Sequence, residues 1–258
     1  MTAVDPIERS AMSAGRFHSS AASHSGVVRD HNEDRFVNRP DLGVWAVADG
    51  AGGHQAGDVA ATIVTDALRA VPAGLGSAEL LAEVRLRMER AHKRLQEEAI
   101  RRGGTDILAS TIVVLIARGE HYACLWAGDS RAYLLRAGML TQVSHDHSFV
   151  QELVDAGAIT PIEAVNHPRA NVITRALGAQ SETVNLDKTT DRLRSGDRFL
   201  LCSDGVSKTL AEHEIARLLA DGANAPATQM ITAALEGQAD DNITAVVIDV
   251  LSAPSADG

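Results

Sequence analysis

The sequence predicts a layered α+β domain, because strand-like apolar runs and helical segments fall in separate blocks with few strict strand-helix-strand alternations. Hairpin-sized gaps between several runs point to antiparallel pairing. No Pro/Ser/Gly-rich stretch inside the 258 residues marks a linker, and no 20-to-50-residue period marks a repeat. One domain over 15–251 is therefore expected, between a flexible N-terminus (1–14) and a flexible tail (252–258), both small and polar.

In chain order, the first strand expected is 43–48, an apolar run that ends just before Asp49. Two helical segments follow, 56–70 and 78–101. The second repeats Leu81, Val84, Met88, Ala91, Leu95 and Ala99 at helical spacing. Val, Ile, Leu and aromatic runs at 110–117, 121–127 and 132–136 read as strands, and 139–143 as their continuation. Gly119-Glu120 and Ala137-Gly138 join them as hairpins of a meander. Later come a strand at 198–202, helices near 211–220 and 225–235, and a strand at 243–250.

Composition narrows the function. With hydrophobic residues at 45%, the chain can bury a full core. Lys+Arg 24 against Asp+Glu 34 gives a net charge of −10, which repels nucleic acid and anionic membranes and disfavours a nuclease. An acidic chain that handles phosphate must neutralise its own field, and bound cations do so directly. The start MTAVDPIERS has no apolar secretory core, and no window approaches 18 uninterrupted apolar residues, so a cytoplasmic location is expected. Cys124 and Cys202 lie in strand-like runs and read as buried, reduced thiols. Each lacks an Arg six residues on, where Ser130 and Lys208 stand, which excludes a tyrosine phosphatase, and no P-loop or kinase motif occurs.

The informative pattern is acids at strand ends. Asp49 follows VWAVA, Asp129 follows ACLWAG and Asp204 follows FLLCS, while Asp241 stands just before ITAVVID. In antiparallel pairing the start of one strand lies beside the end of its neighbour, so four carboxylates can meet at one edge of the core. Singly, each Asp-Gly is a common turn signal. Together, clustered carboxylates stay ionised only when cations hold them, and all-oxygen ligands select Mg²⁺ or Mn²⁺ over Zn²⁺. In Arg29-Asp-His-Asn-Glu-Asp34 the guanidinium is suited to forked contact with phosphate, or to a surface ion pair; spacing alone does not choose.

In order, R29xxNED34, D49GxGGH54, G128DSR131, S203DG205 and D241N242xT244 resemble the motifs of the PPM family, the metal-dependent PP2C-type protein phosphatases, with the bacterial branch matched by His145 to Gly178. The resemblance implies a four-layer α/β/β/α sandwich of two mostly antiparallel sheets flanked by helices. It implies that Asp49 bridges two Mn²⁺ or Mg²⁺ ions, with the Gly50 carbonyl on one and Asp204 and Asp241 on the other. Glu33 would act through ion-bound water with Asp34 in support, Asp129 would join Asp204 at a third, weaker ion, and Arg29 would hold the phosphate. The reaction implied is direct attack of a metal-bridging water on phosphoserine or phosphothreonine of proteins, opposing a bacterial Ser/Thr kinase, with a monomer sufficient. Ala51 stands where eukaryotic members carry a candidate general-acid His, so His54, another proton donor or an unassisted step remains open. A flap at about 144–177, carrying Arg169 and Arg175, would influence substrate choice through acidic phosphopeptides, or both arginines make local ion pairs. The alternative is a non-catalytic PPM-like phosphoprotein-binding regulator; such relatives usually lack one or more of the acids, and here every one is present.

Overall fold

A computed structural model describes residues 8–52, 56–103, 108–222 and 225–252. His54, and residues 1–7 and 253–258 of the expected loose ends, lie outside them. The elements run β1 (Glu8–Ala14), β2 (Phe17–His24), β3 (Asp34–Arg39), β4 (Val44–Ala51), α1 (Ala56–Arg69), α2 (Ser77–Arg101), β5 (Ala109–Ser110), β6 (Ile112–Arg118), β7 (His121–Ala127) and β8 (Arg131–Arg136). They continue as β9 (Met139–Gln142), α3 (Phe149–Asp155), α4 (Pro161–Val165), β10 (Asp187–Arg192), β11 (Arg198–Cys202), α5 (Asp204–Ser207), α6 (Glu212–Ala220), α7 (Pro226–Glu236) and β12 (Ile243–Val250).

Two antiparallel sheets result, one ordered β1-β2-β12-β11-β8-β9 and the other β10-β7-β6-β4-β3, with β5 paired to β4. Side chains alternate along each strand, so a strand buried on both faces feeds two cores. In β4, Trp45 and Val47 point between the sheets and join Phe17, Phe199 and Ile248. Val44, Ala46 and Ala48 point outward to α1 and α2, meeting Leu68, Met88 and Leu95. On the opposite flank, Tyr133, Leu200 and Val247 pack under α6 and α7. The order helix, sheet, sheet, helix is the four-layer sandwich that the resemblance implied. Edge-to-face rings, Phe17 on Trp45 at 5.1 Å and Tyr122 on Phe199 at 4.8 Å, lock the two sheets together.

Four strands escaped the sequence reading. β2 is FHSSAASH, whose serines read as loop, yet it lies between β1 and β12 and its hydroxyls are satisfied: Ser19 donates to Asn38 and Ser23 bonds Thr244. β1 corrects the expectation of a frayed 1–14, since residues 8–14 pair in register with β2 from Glu8↔Ser23 to Ala14↔Phe17. An edge strand needs only one hydrogen-bonded neighbour, so a polar sequence suffices. β10 (DKTTDR) is another polar edge strand, on β7, and β3 begins at an acid. The run 110–117 is broken at Thr111, because Thr111 turns aside to bond Asp49. The flap holds two short helices, α3 and α4, started by Ser148 and Thr160 as side-chain N-caps. Both cysteines are buried and unpaired, as expected.

Candidate metal centre

Both sheets deliver acids to one end of the sandwich. Asp34 and Asp49 are opposite partners in the β3/β4 pair. Asp204 follows β11 as the first residue of α5, and Asp241 precedes β12, the antiparallel neighbour of β11. Asp129 sits on the turn by which the chain leaves β7 in one sheet and enters β8 in the other. That turn needs Gly128, whose φ is 118° and where a Cβ would stand 2.6 Å from Thr111 Cβ. Asp49 itself lies inside β4 rather than after it.

Polar side chains fix these positions. The Asp49 amide donates to Thr111 Oγ1 at 3.1 Å, and the Thr111 amide returns a bond to the Asp49 carbonyl at 2.8 Å. Ser203 Oγ donates to Asp34 Oδ2 at 2.7 Å and accepts from the Thr244 amide at 3.0 Å, tying β3 to β12. Asn242 clamps the loop that bears Arg29 and Glu33: its Nδ2 donates to the Ser25 and His31 carbonyls, and its Oδ1 accepts from the Glu33 amide at 2.8 Å. Gly50 donates its amide to the Glu33 carbonyl at 3.3 Å. A Cβ on Gly57 would stand 2.5 Å from the Gly50 carbonyl oxygen and 2.8 Å from Glu33 Oε2, so a glycine at the start of α1 lets both ligand candidates close in.

Electrostatics show that the cluster is short of positive charge. Burial, then the neighbouring Asp204 and Asp241, push the Asp34 carboxyl up to about 7 against the hydrogen bonds of Ser203 and Thr244. Asp49 is raised well above the ordinary value by burial first and then by Asp34, Asp204, Asp129 and Asp241. Asp129 is pushed up to about 7 by burial and Asp204, with Lys208 opposing. Asp34 and Asp129 are only 1% and 5% exposed, and among the described residues Asp34 Oδ1 and Asp129 Oδ1 have no hydrogen-bond partner. Buried acceptors of that kind are expected to have a ligand. No three His, Cys, Asp or Glu of the described residues are closed up as a finished ligand set. The chain's own cations stand among the acids instead: Lys208 Nζ donates to Asp204 Oδ2 at 2.5 Å, and Arg29 Nη2 to Asp241 Oδ2 at 2.9 Å. All-oxygen donors, unsatisfied carboxylate oxygens and mutual repulsion fit hard divalent cations.

Of the residues expected at the site, Asp34, Asp49, Asp129, Asp204 and Asp241 feel one another's charge. Glu33 and Gly50 meet at Gly57. Arg29 makes the surface ion pair that spacing alone had left open. The flap arginines take local partners: Arg169 stacks on the Phe149 ring at 3.6 Å, and Arg175 donates to Asp187 at 2.9 Å. Sequence reasoning missed Lys208, Thr111 and Gly57, and gave no role to Ser203 and Asn242 although both stand in the motifs S203DG205 and D241N242xT244. Lys208 had a signal, since it lies four residues after Asp204, the spacing of an ion pair on one helical turn.

A family model described as Protein phosphatase 2C matches residues 22–240. The serine/threonine protein phosphatase PstP of Mycobacterium tuberculosis is 37% identical over 233 residues, 90% of this chain and 45% of that protein, so the chain spans under half the length of that relative. Among solved structures, PppA, described as a key regulatory component of T6SS in Pseudomonas aeruginosa, superposes with a TM-score of 0.84 at 40% identity, over 91% of this chain and 98% of that one. The catalytic domain of PstP in complex with 2 manganese ions superposes with a TM-score of 0.79 at 36% identity, over 92% and 99%.

Proposed function

From the premise that this chain belongs to the protein phosphatase 2C family, we propose that it is a metal-dependent protein serine/threonine phosphatase. The observation that carries the reading is the buried, mutually repelling set Asp34, Asp49 and Asp129, with two orphaned carboxylate oxygens that divalent cations would satisfy. The manganese complex of a family member with 36% identity supports it.

Asp49, the Gly50 carbonyl, Asp204 and Asp241 would hold two ions, Mn²⁺ or Mg²⁺, and Asp129 with Asp204 a third. When bound, such ions supply Lewis-acid charge to phosphoryl oxygens and lower the pKa of water from 15.7 to about 7. Thr111 and Ser203 set the positions of Asp49 and Asp34 through the bonds described above, and Glu33 with Asp34 supports the ligands. Arg29, half exposed at the rim, turns its guanidinium fork from Asp241 to the phosphate of the substrate. The substrates are phosphoserine and phosphothreonine proteins, and the kinase that makes them is the natural partner. Similarity to PppA makes a type VI secretion pathway the first place to seek that kinase. One subunit carries every residue named, so the working unit is read as a monomer. No described helix is long and apolar enough to cross a membrane. The non-catalytic alternative loses ground because every acid of the motif set is present.

The test is hydrolysis of p-nitrophenyl phosphate and of a phosphothreonine peptide with and without Mn²⁺, using Asp49→Asn as control. Turnover should need the metal and vanish in the variant. Equal rates after chelation contradict the reading.

A further inference from the structure

The Asp129/Asp204 pair already holds a positive charge, and the chain supplies it. Lys208 caps the single turn of α5; its Nζ donates to Asp204 Oδ2 at 2.5 Å and stands 3.8 Å from Asp129 Oδ2. The same Nζ donates to Asn171 Oδ1 of the flap at 2.8 Å. Asp129 is 5% exposed and its Oδ1 is without a partner, so one ammonium leaves the pair incompletely satisfied. Beside these residues opens a cavity of about 410 Å³ lined by the acids and by the flap, including Val154 of α3 and Val165 of α4.

Resting on the metal-dependent reading of the core, we propose that Lys208 is an intramolecular cation that competes with a divalent ion for Asp129 and Asp204, and that it latches the flap through Asn171. An ion in contact with both carboxylates meets an ammonium at the same oxygen, and like charges at that separation exclude each other. Entry of the ion therefore displaces Lys208, and the displaced Lys208 releases Asn171. Two things follow from one side chain. The third ion binds only at cation concentrations above those that fill the core, and its binding loosens the flap wall of the cavity beside Asp129 and Asp204. Lys208 is thus a positioning residue, acting on ion occupancy and on the flap rather than on the substrate.

The experiment is a calorimetric titration of the purified protein with MnCl₂, comparing wild type, Lys208→Met and Lys208→Arg, with hydrogen exchange of residues 161–175 followed in parallel. Wild type should take up two ions tightly and a third at least about tenfold more weakly than Lys208→Met does, a difference of about 1.4 kcal/mol. Lys208→Arg, which keeps the charge, should behave as wild type. Exchange in 161–175 should be fast in Lys208→Met without ions, and in wild type only once the third ion is bound. If circular dichroism shows that Lys208→Met has lost the fold, Lys208→Gln takes its place. The same third-ion affinity and the same exchange in wild type and variant overturn the role of Lys208 while leaving the core reading standing. No Mn²⁺ uptake by wild type overturns both.

Discussion

Removing divalent cations should make this protein less stable as pH rises from about 5 to 8, the reverse of ordinary acid denaturation. Asp34 and Asp129 are each raised from 3.8 to about 7 in the folded chain. Between those values the folded protein binds more protons than the unfolded one, so stability is fully present below 3.8 and is lost as pH climbs through about 7. A rise of that size corresponds to roughly 4 kcal/mol for each carboxyl. The two share Asp204 as a neighbour, so their costs do not simply add. Between pH 5 and 8 one such carboxyl accounts for about 3 kcal/mol of that loss, or roughly 6 to 12 °C in Tm for a chain of this size, the rest falling below pH 5. The surface acids do not offset it. Asp41, Asp155 and Asp191 are held below the usual carboxylate range by Arg39, His145 and the Arg192 backbone respectively, and their contribution is complete above their unfolded values. His147, lowered from 6.5 by burial, opposes the trend, because its stabilisation grows as pH rises toward its unfolded value. Scanning calorimetry in chelator at several pH values reads the slope, and Mn²⁺ should restore the lost Tm at pH 8. A metal-free Tm that stays flat or rises from pH 5 to 8 refutes the reasoning, as does an unchanged slope in Asp129→Asn.

Other outcomes follow from the same geometry. Asp49→Asn should lower kcat/KM by more than roughly 100-fold, since weakening even an outer-shell partner of a metal costs 10 to 100-fold; calorimetry should find the metal-free variant no less stable than wild type, because a repelling charge is gone. Arg29→Ala should cost about 1.5 to 3 kcal/mol in kcat/KM through the lost charge-assisted phosphate contact, with Mn²⁺ uptake intact and Tm nearly unchanged, because its ion pair with Asp241 is exposed. Gly57→Ala sets a methyl against the Gly50 carbonyl and the Glu33 carboxylate and should cost about 1 to 3 kcal/mol in urea unfolding while weakening Mn²⁺ binding. Leu95→Ala, fully buried between α2 and the sheet, should cost about 2 to 5 kcal/mol with kcat/KM of the folded enzyme unchanged.

The acids were legible because each stands where a long apolar run stops, a boundary visible without coordinates: Asp49 after VWAVA, Asp204 after FLLCS, Asp241 before ITAVVID. The helices α1 and α2 were legible for a related reason, a one-sided apolar period over 14 and 25 residues. β2 and β10 were not, because they are held by backbone pairing to neighbours distant in sequence, and Ser, Thr and Asp carry no apolar alternation. The polar framework of the site was hidden for the same cause. Thr111, Ser203 and Asn242 act over separations of 62, 169 and 209 residues, and although Ser203 and Asn242 stand in quoted motifs, such bonds leave no local sign of their partners. Lys208 was readable in principle from its spacing to Asp204, but its bond to Asn171 of the flap exists only in the fold.

Diffraction at the manganese absorption edge from crystals grown with Mn²⁺ tests the central claim most directly. Two anomalous peaks enclosed by Asp49, Asp204 and Asp241, with Gly50 at one of them, are the predicted result. Peaks elsewhere on the molecule, with these three carboxylates free of metal, contradict it.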